Sequence, residues 1–255
     1  MRGKYLCVNK IVIIKNIVSL GRNNILGSNM KNIKVVSCFL FALLVTGCAS
    51  VSKMPLQVDS DHVDLSKKSI LVAKVHIKNE FKESHQPELC CMFVQKNGED
   101  YSFTSPTMIN DLGENGKEYF VSMDVDPGLT TINMARFVRK IPLLLWATAD
   151  LPFSQEIDVP QNSIVYLGDI TAVIKEKTSD DQPSAGGPVP LLDQAITGFS
   201  TGTFEVVVKD KYKSDVEELR QKYMSLKGMK VVDMTLPAWI HPEKRAGNLS
   251  LSAQN

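Results

Sequence analysis

The stretch Ser69 to Lys78 constrains the fold more than any other part of the chain. Leu71, Ala73, Val75 and Ile77 occupy alternate positions, with Ile70, Val72, Lys74 and His76 between them. Successive side chains of a strand point to opposite sides, so this spacing predicts a β-strand with one wholly apolar face. Such a face needs a second apolar layer over it. His76 is placed on the other side.

Further runs of strand length follow at Leu89 to Gln95, Asp100 to Thr104, Tyr119 to Val125, Leu129 to Phe137, Ser163 to Ile174 and Thr203 to Lys209. Turn residues separate them. Asn97-Gly98 and Asn115-Gly116 tolerate the positive φ that tight hairpins demand. Asp126-Pro127-Gly128 pairs a fixed φ with a residue free to turn left-handed, which predicts a hairpin joining Tyr119 to Val125 with Leu129 to Phe137. Short strands at this spacing indicate a sandwich or barrel rather than a parallel sheet. The expected fold is mainly β, an antiparallel β-sandwich with one C-terminal helix packed on the sheet. That helix is predicted over 214–227, opened by a capping box of Ser214 and Glu217, with Val216, Leu219, Tyr223 and Leu226 at helical spacing and Gly228 as terminator. A last strand is predicted from Lys230 to Leu236. The apolar run Ile141 to Phe153 fits either a buried strand or a short helix, with Leu143, Leu144, Leu145 and Trp146 expected in the core. Glu176 to Pro190 is rich in Ser, Asp, Gly and Pro and reads as a long surface loop.

The N-terminal region has a different character. Residues 1 to 47 hold seven basic residues and no acid, which leaves 22 basic against 28 acidic residues in the remainder, a net charge of about −6. An acidic body repels polyanions, so nucleic acid is not an expected partner. After Met30 come Lys31 and Lys34, an apolar core from Val35 to Val45, then Thr46-Gly47-Cys48-Ala49-Ser50. A basic region, a short apolar core and a small-residue cleavage site make an export signal. The apolar core is far short of the about 20 residues that span a bilayer. Counting from Met30 gives a signal of ordinary length over 30–47, so 1–29 is read as an extension that is not part of the working protein.

Val45-Thr46-Gly47-Cys48 resembles the lipobox of bacterial lipoproteins. The resemblance implies cleavage between Gly47 and Cys48, lipidation of the Cys48 thiol, and a membrane held as partner through that anchor. Ala49 stands where an aspartate commonly retains Gram-negative lipoproteins in the inner membrane, so the resemblance favours the outer membrane. Residues 48–66, polar and without sustained period, are read as a lipidated tether, 67–239 as the sandwich domain and 240–255 as a flexible tail.

With Cys7 and Cys38 in the leader and Cys48 lipidated, only the adjacent pair Cys90-Cys91 remains in the mature chain. Alternation would put Cys90 on the side of Met92 and Cys91 on the side of Phe93. The reading left open for them is two small buried residues, a vicinal disulfide, a soft-metal contact or an intermolecular bridge. No C-x-x-C spacing marks a metal site, and no cofactor signature is present.

The mature histidines, His62, His76, His85 and His241, are scattered, and no G-x-S-x-G or H-E-x-x-H occurs. Asp124, Asp126 and Asp169 are the carboxylates that could cluster for calcium or glycoside chemistry, although Asp126 is also explained by turn capping and Asp169 by the bulge-prone Gly168 before it. Ser184-Ala185-Gly186-Gly187 lacks the lysine and helix of a phosphate loop and reads as flexible. Tyr119 to Thr130 together with Ser163 to Ile170 is similar to a strand, Pro-Gly turn and "YLG" strand pattern of envelope lipoproteins with a transthyretin-like or carboxypeptidase-regulatory-like sandwich. That resemblance covers residues 69 to 174 and implies a fold but no activity. The functional expectation is a non-catalytic module binding an envelope protein or polysaccharide. A hydrolase acting on cell-wall or lipid substrates, and a structural spacer or self-assembling subunit, are the alternatives.

Overall fold

The computed structural model describes residues 50–60, 62–141, 145–187 and 194–243. The leader, Gly47, Cys48, Leu143, Leu144 and the end of the tail lie outside them. The body of the chain runs from Ser52 onward. Among the described residues eleven strands form two sheets: β1 (Ser50–Lys53), β2 (Ser69–Asn79), β3 (Glu88–Lys96), β4 (Glu99–Thr104), β5 (Thr107–Asp111), β6 (Lys117–Val125), β7 (Gly128–Ile141), β8 (Leu145–Val159), β9 (Ile164–Glu176), β10 (Gly202–Lys209) and β11 (Val231–Asp233). One sheet has the order β1-β4-β3-β7-β8, and the other β10-β9-β2-β6-β5 with β11 also on β9. The helix α1 (Tyr212–Lys222) follows β10. The expected mainly β sandwich with one late helix is the observed fold.

The alternation in β2 is realised on both sides. Leu71, Ala73, Val75 and Ile77 enter the layer between the sheets, where they meet Met92, Val94, Ala135, Phe137, Ala149 and Leu151 of the opposite sheet. Ile70 and Val72 point outward, and with Phe120, Ile164 and Tyr166 they are covered by Val216, Leu219, Tyr223 and Leu226 of the helical segment. The four positions expected to face the sheet therefore do so. The capping box does not form. The helix starts two residues earlier, with Lys211 as its N-cap residue, Asp210 Oδ1 accepting the Tyr212 N–H and Ser214 Oγ donating to the Lys211 carbonyl. It ends at Lys222, and Met224–Leu226 continues as a 3-10 turn.

Three strand relations differ from expectation. The Asp126-Pro127-Gly128 turn makes no hairpin, because β6 pairs with β2 and β5 whereas β7 pairs with β3 and β8. The turn bends the chain from one sheet to the other. Gly116 likewise follows a 3-10 turn (Gly113–Asn115) rather than closing a two-residue loop, whereas Asn97 and Gly98 do sit at φ 50° and 80° between the paired strands β3 and β4. The sheets are also not wholly antiparallel: β9 runs parallel to β2 and β11 parallel to β9. Ser69 at the start of β2 and Ser163 just before β9 lie side by side, with the Ser163 N–H on Ser69 Oγ and both hydroxyls directed at the Pro160 carbonyl.

The ambiguous run from Ile141 onward is extended where described: β8 starts at Leu145 and continues to Val159. Trp146, expected in the core, is 44% exposed. Nor is the segment after Cys48 free chain throughout. Met54 and Leu56 are buried, the first in the inter-sheet layer and the second under the helix, and the Leu56 N–H donates to Ser122 Oγ. Two apolar residues flanking a proline are too short a pattern to stand out in the sequence, yet they insert into both apolar layers.

The 176–190 loop is also anchored where described. The Ala185 carbonyl accepts from the Asp150 N–H of β8 while its own N–H donates to Gly202 at the start of β10. Gly186 passes so close that a Cβ there would lie 2.5 Å from the Thr148 carbonyl oxygen, so the glycine expected to give flexibility instead permits close approach. Gln194 Oε1 accepts the Thr148 N–H, and Trp239 Nε1 donates to the Pro152 carbonyl. The open side of the sandwich, between β8 and β10, is thus closed by backbone and side-chain bonds. Leu219 is 1% exposed beneath the helix; its replacement by Ala is expected to lower unfolding free energy by about 2–5 kcal/mol, read by urea denaturation, whereas Met224→Ala on the exposed side of the same segment should change it by less than about 0.5 kcal/mol.

Candidate functional site

The densest meeting of ionisable groups lies on the outer face of the β2 sheet, beside the helix N-terminus. Its geometry originates at Gly168. Tyr166 pairs with Val72 but Asp169 with Lys74, so β9 carries one extra residue there. Gly168 takes φ +115° to accommodate it. A bulge of this kind shifts the alternation by one. Leu167 and Ile170 therefore both face the inter-sheet layer, and Asp169, which strict alternation would have sent inward, turns outward to His76.

His76 spans two carboxylates, with Nδ1 3.0 Å from Glu118 and Nε2 3.0 Å from Asp169. Lys211, at the helix N-cap, reaches the same Asp169 oxygen at 2.8 Å. One step along β2, Lys74 bonds Glu218 of the helix at 2.7 Å. The Tyr166 hydroxyl donates to Asp215 at 2.5 Å beneath the first turn of α1. Asp169 is only 1% exposed, and its Oδ1 is buried without a hydrogen-bond partner. Burial opposes ionisation of Asp169, but the hydrogen bonds and charges of His76 and Lys211 prevail and hold its carboxyl down at about 2. Asp215 is shifted the other way: burial raises it, helped by the nearby Asp169 charge, and the Tyr166 hydrogen bond only partly offsets this. Burial and the Asp215 hydrogen bond push the Tyr166 hydroxyl up as well.

This arrangement is suited to holding the helix rather than to moving protons. A general base needs a free lone pair within reach of a substrate proton, and both imidazole nitrogens already face carboxylates. The lysines are also paired. Each partly exposed pair contributes on the order of 1 kcal/mol or less, against the several kcal/mol of burying the helix's apolar side chains. Apolar burial therefore supplies the adhesion and the polar bridge fixes its position.

The three aspartates singled out from the sequence are not brought together. Asp124 pairs with Lys68 at 2.6 Å, Asp126 is exposed in the inter-sheet turn, and Asp169 is in the bridge. Asp124 lies across β2 from Ile70 and Asp169 from Lys74, four residues or about 13 Å apart along the strand. Among the described residues no group of three His, Cys, Asp or Glu side chains is disposed to hold a metal ion. Sequence reading placed His76 on the correct face but missed its partners Glu118 and Lys211; the signal available was a polar His76 and Lys74 on one side of an otherwise apolar strand. His62 lines a depression with Pro55, Lys67, Lys68 and Asp124, and His241 lies with Trp239 beside β9 and β10.

A second cluster lies on the outer face of the other sheet. Cys91 stands across β3–β7 from Arg136, which makes a two-point ion pair with Asp150 at 2.7 Å and covers the Phe93 ring at 5.3 Å. The register slips between Leu89 and Cys91, and the Cys90 and Cys91 sulfurs are 3.1 Å apart. The expectation that the two thiols face opposite sides thus fails, because the bulge turns both to one side.

Since the folded-state carboxyl of Asp169 titrates below its ordinary 3.8, its contribution to stability is fully present above about pH 5 and is lost as pH falls towards 2. Asp169→Asn is expected to cost about 2 kcal/mol at neutral pH. In urea titrations across pH, the gap between wild type and variant should close between about pH 4 and pH 2; a gap constant across that range would show that Asp169 makes no charged bridge. The chain matches no protein-family model, no curated protein and no solved structure, so the functional reading rests on its own residues.

Proposed function

We propose that this chain is an envelope protein anchored through lipid at Cys48, whose sandwich serves as a non-catalytic binding or assembly module for an envelope protein or polysaccharide. The observation that carries the reading is the ordered run of basic region, apolar core and Val45-Thr46-Gly47-Cys48 directly before the folded body. Two or more acyl chains, at about 0.8 kcal/mol per buried CH₂, would anchor a soluble domain stably. β1 begins at Ser50, two residues after Cys48, and the Thr104 hydroxyl donates to the Ser52 carbonyl. An extended link of two residues reaches at most about 7 Å. The body would sit close to the bilayer surface, as suits a module that receives partners there.

The non-catalytic part of the reading is supported by how the ionisable groups are used. His76, Asp169, Lys211, Lys74 and Glu218 are engaged with one another, and Asp124 is taken up by Lys68. Outer-membrane residence follows the same proposal, from Ala49 after the cysteine.

Two measurements test it. Cells expressing the chain and fed labelled palmitate should yield labelled protein, and Cys48→Ser should abolish the label and release the protein from the membrane fraction. Unlabelled wild type, or a serine variant that still fractionates with membranes, overturns the anchor. Retrieval from envelope extract with the intact protein should enrich a specific protein or glycan; failure across repeats overturns the binding role while leaving the anchor standing.

A further inference from the structure

We propose that Cys90 and Cys91 form a dithiol site for a trivalent, thiophilic metalloid centre of the arsenical type, which takes one sulfur from each residue. The argument begins with the bulge. In a regular strand adjacent side chains diverge to opposite faces, but the slip between Leu89 and Cys91 in the β3–β7 pairing brings the two sulfurs to 3.1 Å. Cys91 is buried, and Cys90 is partly exposed, giving a reagent one side from which to enter.

The competing fates of the pair are less well served by this geometry. Neighbouring Cα atoms across a trans peptide are fixed at about 3.8 Å, below the about 4.4–6.8 Å that a disulfide spans, and the structure has no cis peptide among the described residues. Closing the S–S bond would therefore strain the strand. A tetrahedral metal ion needs further ligands, and the described residues bring no third His, Cys, Asp or Glu into a metal-holding group. A trivalent metalloid bearing one organic substituent needs two thiolates only, at a narrow angle, and the product is uncharged. An uncharged product suits a site flanked by Arg136 and Asp150, which already satisfy each other's charge, and by the Phe93 ring beneath the guanidinium.

The chemistry balances without an oxidant. With phenylarsine oxide as reagent, two As–S bonds form, the arsenic–oxygen bond breaks, and both thiol protons leave with that oxygen as one water molecule. Arsenic remains trivalent throughout. Cys90 is the group set to attack first: the hydrogen bond donated by Cys91 lowers its thiol below the ordinary value, and Arg136 assists against the opposing effect of burial. Cys91, pushed up chiefly by its role as donor to Cys90 and by burial, follows as the second ligand and loses its proton as the ring closes.

The test uses the full chain reduced with a phosphine and titrated with phenylarsine oxide, followed by intact mass and thermal denaturation. Wild type should take up one equivalent with loss of one water, and should bind about 100-fold more tightly than Cys90→Ser because the second sulfur is held at high effective concentration. Cys90→Ala serves as a second variant, and circular dichroism checks that both variants are folded. The other cysteines are unchanged in all three proteins, so they contribute equally. Affinities for wild type and the two folded variants within threefold of one another would overturn the proposal, as would a wild-type adduct that retains a free thiol at both Cys90 and Cys91 on peptide mapping.

Discussion

Water is kept from both sides of the first half of β2, and most of the architecture follows from meeting that demand. Its inward residues, Leu71 to Ile77, require a second sheet, and its outward Ile70 and Val72 require a separate cover. The helix that supplies the cover comes from near the end of the chain, so β2 ties together segments more than a hundred residues apart. Further along β2 the outward positions become Lys74 and His76, and the cover changes with them: apolar side chains of the helix give way to Glu218 within it and Lys211 at its N-cap. One strand's change from apolar to polar on a single face thus sets where the helix lies and which of its ends meets charge.

The polar bridge is best understood as the consequence of a backbone irregularity. Without the extra residue at Gly168, Asp169 would point between the sheets, where an unpaired carboxylate would be costly to bury. With it, the carboxylate meets one lysine and one histidine. A Cβ at Gly168 would also lie 3.1 Å from the Thr235 methyl and 3.2 Å from Val208, so the same position lets β10 and the segment after β11 approach β9 on either side of the bulge. Fold and electrostatics share this one residue. Charged groups engaged in positioning an element contribute little to chemistry on a substrate.

Much of the fold was legible because the strands that face two layers carry strong alternation. β2, β3, β6, β9 and β10 were all found within a few residues of their observed limits, as were the four apolar positions of the helical segment. β5 was not, since an edge strand of five residues with mixed burial needs no apolar pattern. The turn at Asp126-Pro127-Gly128 announced a reversal, but turn chemistry specifies a local bend and not the sheet that receives the next strand. The parallel pairing of β2 with β9 depends on contacts such as Ser69 with Ser163, 94 residues apart, which local sequence does not encode. The candidate sites were less legible still. A glycine before Asp169 and a pair of adjacent cysteines were visible, but in each case the decisive fact was a slip in register that reversed which side a residue faces.

The bonds along the free side of β8 have a consequence for how copies of this protein behave when crowded. An unprotected strand border invites a neighbour to add its own strand and so to begin an open-ended stack. Here the Thr148 and Asp150 amides are occupied by Gln194 and Ala185, and Pro152, which has no amide hydrogen, gives its carbonyl to Trp239. Molecules packed side by side can therefore touch along the stretch from Thr148 to Pro152 without zipping together there.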